Sequence, residues 1–166
     1  GRGGRSALPG YGPLLRRRIR GRGAIAIMTV LEAVREAMRE EMERDPLVFV
    51  MGEDIGARGG VFLATDGFVD EFGEERVIDT PLAESSIAGI ALGAAMHGMR
   101  PIAEIEFADF IWPAFNQLVG EAARARYGTA GSIGVTLVVR LPGESGFTVG
   151  QRATVVLPAD HWHIYP

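Results

Sequence analysis

The sequence predicts an α/β fold built on a doubly wound, mostly parallel sheet. Short strand-like runs recur at "LVFVM", "RVID", "RPIAEIEF" and "GVTLVVR". Segments of helix length separate most of them, and that alternation is the signature of parallel βαβ units. The chain has 166 residues and is 47% hydrophobic, enough for one domain with a core of its own.

Each element has a local cause. "TVLE" is a capping box: the Thr29 hydroxyl accepts from the Glu32 N–H while Glu32 reaches back. Val30, Val34, Met38 and Met42, with Leu31 and Ala37, then make one apolar helical face, and Asp45-Pro46 ends the helix. Leu47–Met51 is a strand of buried type, "GEDIGARGG" a loop, Ala64–Gly73 a short helix and Arg76–Asp79 a second short strand. Residues 84–97 have helix length, are small or apolar on nearly every side, and stop at Gly98. Arg100–Phe107 alternates like a strand. Asp109–Gly128 reads as a helix capped by Asp109, with Pro113 in its first turn. Gly134–Arg140 is another buried strand. The pattern then lapses, with room for one more strand at "RATVVL". A doubly wound domain should continue, so the fold is expected to be incomplete at its C-terminus, with residues 142–166 an atypical tail.

Residues 1–27 hold seven arginines and no acid. They lack the continuous apolar core of a signal peptide and the Ser-rich amphipathic pattern of a transit peptide. They are expected to be a disordered or spurious Arg/Gly-rich leader before Met28. The cluster "RRRIR" as a grip on RNA or a membrane surface is the weaker reading, since a short charge run is usually solvated. The remainder holds ten arginines against 21 acids, a balance of −11, and so lacks a basic nucleic-acid footprint. No apolar run reaches transmembrane length. With no cysteine, the chain has no disulfide, zinc–thiolate site or thiol nucleophile, and a cytoplasmic location is expected.

The candidate chemistry centres on Glu84. A helix N-terminus favours its negative charge, while apolar neighbours raise a carboxyl's pKa. A carboxylate under both influences can share a proton with a bound base; a plain charge complementing the helix dipole is the alternative. Asp79 and Thr80 end a strand, where parallel sheets bind ligands, or else cap a turn before Pro81. Phe107 and Phe110 lie at another strand end, and Phe110 can stack on a planar ring or pack in the core. "GARGG" is neither GxGxxG nor a P-loop. His97, His161 and His163 show no metal-ligand spacing beyond "HWH", so no metal is assigned to this chain.

From about Met28 to Arg140, "GED", "GGVF", "DTPLAE", "MHGMRP", "EIEFADF" and "LVVR" follow one another in an order and spacing that resembles a known family. It is the beta subunit of the thiamine-diphosphate-dependent, decarboxylating first component of 2-oxo acid dehydrogenase complexes, acting on pyruvate or branched-chain 2-oxo acids. The resemblance implies a three-layer, transketolase-like pyrimidine-binding domain over residues 28–141. It implies that Glu84 hydrogen-bonds the aminopyrimidine of thiamine diphosphate and helps to draw a proton from the thiazolium carbon. It places Phe110 against the pyrimidine ring, and Glu53 with Asp54 near the cofactor cleft. Magnesium and the diphosphate would sit on an alpha subunit, within a two-alpha, two-beta heterotetramer. "TDG" at Thr65–Gly67 lacks the following Asn that the magnesium motif needs. A lipoyl-bearing acyltransferase core would be the further partner. A potassium site near "VTLVV" occurs in some relatives. The compartment would be bacterial cytoplasm, or the mitochondrial matrix in a eukaryote.

Departures from the family pattern are Asn116 in place of an Asp, and the lack of its "H-H-S-Q" segment and C-terminal domain after Arg140. Two further readings stand beside this one. One is another transketolase-like enzyme, which "GGVF" with "DTPLAE" argues against. The other is a non-catalytic α/β fragment, because fold alone does not confer activity.

Overall fold

A computed structural model of the chain describes residues 30–142 and 154–157. In chain order these form α1 (Val30–Arg44), β1 (Val48–Gly52), α2 (Phe68–Phe72), β2 (Val77–Asp79), α3 (Glu84–Met96) and β3 (Arg100–Glu104). A segmented helical stretch follows, containing α4 (Trp112–Phe115) and α5 (Ala125–Gly128), then β4 (Leu137–Arg140) and β5 (Thr154–Leu157). The strand order is β2-β1-β3-β4-β5. The first four are mutually parallel, and β5 runs antiparallel on β4. The winding direction reverses between β1 and β3, so the crevice beyond their carboxyl ends is the topological switch point.

The sheet is doubly wound and has a helical layer on each face, as predicted. Alternate residues of β1 point to opposite faces. Val48 and Val50, with Val77 and Ile102, pack against Met38 and Met42 of α1 and Phe68 of α2. Phe49 and Met51, with Ala103, Leu137 and Val139, pack against Ile87, Ala88, Ala91, Leu92 and Ala95 of α3 and against Ala114 and Leu118. All five residues of β1 are buried, which is why its sequence is an apolar run and does not alternate.

Arg76 ties α1 to the sheet. Its guanidinium donates to the carbonyls of Met42 at 2.8 Å, Asp45 at 3.0 Å and Val48 at 3.0 Å, and lies over the Phe72 ring. Three carbonyls at the end of α1 and the start of β1 thereby gain a charged donor, the Asp45 one in addition to the Val48 N–H. At the end of α3, Gly98 takes φ +91°, with Gly98 N–H on Ala95 O and Met99 N–H on Ala94 O. This is a Schellman stop, placed where the sequence predicted it.

Several expectations shift. The capping box rests on Thr29, which lies outside the described residues. Ala37 is exposed, because it stands off the Val34–Met38–Met42 stripe. β3 ends at Glu104, three residues short of the predicted Phe107. The helix predicted over Asp109–Gly128 is broken. Ala108–Phe110 is a 3₁₀ turn, α4 opens at Trp112 with Pro113 inside its first turn, and Asn116–Glu121 is wound as a π-helix. The side chain of Asp109 caps nothing there, since it lies inside the 3₁₀ turn. Gly120 sits in the wide segment, where a Cβ would meet the Asn116 side-chain oxygen at 3.2 Å.

Candidate active site

The register aligns the carboxyl ends of four strands. Asp79 of β2 stands beside Gly52 of β1, Gly52 beside Glu104 of β3, and Glu104 beside Arg140 of β4. Beyond this row lie Glu53, Asp54 and the loop to α2, the turn into α3, and Ile105 to Phe110. The row itself carries three charged residues, Asp79, Glu104 and Arg140, at the ends of strands whose interior residues are apolar.

Glu84 is the first residue of α3 and is half-buried. The bond from Ser85 Oγ to Pro113 O at 2.5 Å ties this first turn to α4, next to the turn that carries Phe110. Glu53 follows Gly52 directly and is half-buried. Burial pushes its carboxyl above the ordinary range, and the charges of Asp54 and Glu84 push it the same way. Glu53 and Glu84 therefore share one electrostatic environment, although 31 positions separate them in the chain. Phe110 is half-exposed, outside the core, with its ring edge-on to Phe107 at 6.1 Å. Phe107 in turn meets Phe62 edge-on at 6.2 Å.

The loop after β1 is built by its carboxylate neighbours. Asp79 Oδ1 accepts the Gly56 N–H at 2.6 Å. Glu106 Oε1 accepts the Val61 N–H at 3.1 Å. Gly60 N–H donates to Asp54 O at 2.8 Å, and Thr65 Oγ1 to Ile55 O at 2.6 Å. The N–H groups of Gly56, Gly59, Gly60 and Val61 all point at protein oxygens, which is the opposite of a phosphate cradle. Thr65 is buried, Asp66 pairs with Arg35, and Gly67 opens α2, so "TDG" has a structural use here. Asp79 is a staple for the loop, while Asp54 takes φ +53° and pairs with Arg58.

Sequence reasoning missed three buried charges. Glu104 and Arg140 form an ion pair across β3 and β4, with both side chains almost wholly enclosed. Glu106 is buried, and desolvation raises its carboxyl, with Glu104, Glu53 and Asp54 adding to the rise and the Val61 N–H opposing it. The available signal was charge inside an apolar strand, since such residues are rarely buried unless paired. The hydroxyl of Thr80 is also buried and has no hydrogen-bond partner among the described residues, although its backbone N–H bonds Gly52 O at 2.9 Å. His97 is exposed, with Nδ1 on Gly93 O, and His161 and His163 lie outside the described residues. Among the described residues, no cluster of three His, Asp or Glu is placed to hold a metal ion.

Residues 26–156 match the family described as transketolase, pyrimidine binding domain. The chain belongs to that family. The fold agrees with it: a parallel sheet with helices on both faces and a crevice at the strand ends. The chain is 58% identical over 118 residues to the 2-oxoisovalerate dehydrogenase subunit beta of Bacillus subtilis, which covers 71% of the chain and 36% of that relative. It is 46% identical over 127 residues to the subunit of the same name from Pseudomonas aeruginosa, covering 76% of the chain and 36% of the relative. With the pyruvate dehydrogenase E1 component subunit beta of Staphylococcus epidermidis it shares 46% identity over 118 residues, 71% of the chain and 36% of the relative. This pyrimidine-binding domain thus spans about a third of the length of the curated relatives it matches.

Proposed function

We propose that the chain forms the pyrimidine-side half of a thiamine diphosphate site in the beta subunit of a 2-oxo acid dehydrogenase. The observation that carries the reading is the place of Glu84, half-buried at the first position of α3 beside the switch-point crevice, in a turn that Ser85 Oγ ties to Pro113 O of α4. The residues present fit an aminopyrimidine. Glu84 offers a half-buried carboxylate, Phe110 an accessible ring face, and Thr80 a buried hydroxyl that lacks a partner among the described residues.

In this reading Glu84 holds a proton at its carboxyl oxygen against a pyrimidine ring nitrogen. Glu53 keeps its own proton more readily than an ordinary glutamate does, which limits the charge crowded beside Glu84. Phe110 packs on the ring and sets its plane. Bound thiamine diphosphate would supply the electron sink for decarboxylation of a 2-oxo acid. An alpha subunit would provide the diphosphate and magnesium contacts, and a lipoyl-bearing acyltransferase would receive the acyl group. The similar subunits are named for 2-oxoisovalerate at 58% and 46% identity and for pyruvate at 46%, so the substrate class in this reading is a 2-oxo acid, pyruvate or branched-chain. A bacterial cytoplasm is the matching compartment.

The test is a calorimetric titration with magnesium and thiamine diphosphate, on the chain co-purified with its cognate alpha subunit. Binding by the parent that is weakened or lost in Glu84→Ala supports the reading. Failure to form the complex, or equal binding by both versions, sinks it in favour of a non-catalytic fragment.

A further inference from the structure

Glu106 stands two residues past the end of β3, buried, with its Oε1 on the Val61 N–H. Val61 belongs to a turn that has little freedom of its own. Gly59 and Gly60 take φ +80° and +77°, and a Cβ on Gly59 would lie 2.7 Å from Asp66 Cα. Phe62 comes next, and its ring meets Phe107, the neighbour of Glu106 in the chain, at 6.2 Å with planes at 90°. Phe107 meets Phe110 at 6.1 Å. The loop is thus gripped twice at one place, by its backbone through Glu106 and by a ring through Phe107. The second grip leads to Phe110.

The charged groups facing Glu106 are Glu104 on β3 and Glu53 and Asp54 after β1. Asp54 is answered by Arg58, and Glu104 by Arg140. The Val61 N–H is what favours the charged form of Glu106.

We propose that Glu106 is a positioning residue for the candidate active site: it holds the 59–62 loop through the Val61 amide and, through Phe62 and Phe107, keeps Phe110 in place. The last step rests on the thiamine diphosphate reading above; the latch itself does not.

Hydrogen exchange, read by mass spectrometry on peptides covering residues 59–63 and 107–110, tests both steps. The samples are the full chain with its cognate alpha subunit as parent, Glu106→Ala and Glu106→Gln. Glu106→Ala should speed exchange at the loop by about tenfold or more, the scale of one hydrogen bond to a charged group. It should also speed exchange at 107–110 and weaken thiamine diphosphate binding by about tenfold. Glu106→Gln, whose amide oxygen accepts the same bond, should restore all three. After correction for intrinsic rates, loop protection in the parent should vary with pH and in Glu106→Gln should not. That pH response decides the matter if Glu106→Ala does not fold. Unchanged loop exchange in Glu106→Ala overturns the proposal, as does faster loop exchange with residues 107–110 and cofactor affinity untouched. If the parent itself binds no thiamine diphosphate, the proposed function fails. The exchange at 107–110 then decides the positioning claim alone.

Discussion

Gly52 and Glu104 face each other across β1 and β3 so closely that a Cβ on Gly52 would lie 2.6 Å from the Glu104 carbonyl oxygen. The obstacle is backbone in the middle of a sheet, which cannot swing aside. Gly52→Ala should therefore destabilise the domain by about 1–3 kcal/mol, the range for forced overpacking. A urea unfolding series would show a lower midpoint; an unchanged midpoint would mean that the strands can part at no cost.

The Glu104–Arg140 pair lies one strand further along the same row. Removing one partner leaves a buried charge unanswered, at a cost of about 3–5 kcal/mol. Glu104→Leu and Arg140→Met should each be severe alone, and the double variant should recover most of the loss. A double-mutant cycle that shows simple additivity would rule out coupling between the two.

The charge of Glu84 adds to the rise that burial and Asp54 impose on the Glu53 carboxyl. Replacing Glu84 by Gln removes a charge that raises the Glu53 carboxyl, so the Glu53 midpoint should move down towards its ordinary value. Carbon-detected NMR of the glutamate carboxyls reads this directly. A Glu53 midpoint indifferent to Glu84→Gln would separate the two groups.

Burial raises both Glu53 and Glu106 in the folded state. A raised acid binds its proton more tightly folded than unfolded. Its stabilising share is therefore complete below the ordinary glutamate range and is lost as pH rises through the raised value. Stability of the parent relative to Glu106→Gln should thus fall with rising pH across that window and level off above it. Thermal midpoints of the two chains over a pH series would check the sign. A difference that grows with pH would contradict it.

What the sequence showed of this domain was periodic or local. The apolar stripe of Val34, Met38 and Met42, the run Val48–Met51 and the Gly98 stop each follow from a few neighbouring residues. The break in the helix after Asp109 was not legible, because it depends on how α4 packs on α3 through Ser85 and Pro113. Glu84 and Phe110 could be singled out by place and by resemblance. Glu104, Glu106 and Arg140 could not be given a role, since their meaning lies in strand register and in a loop 45 residues away from Glu106. The loop "GARGG" matched no phosphate motif, but that Gly56 turns its N–H to Asp79, 23 positions on, could not be read from it.

β2 is three residues long and lies at one edge of the sheet. Such an edge offers another chain few free N–H and C=O groups to pair with, and Asp79 puts a charge at its end. A self-templating stack of these sheets would need a longer, flatter, uncharged margin. This short strand, whose one buried residue is Val77, therefore protects the protein from aggregation along that side.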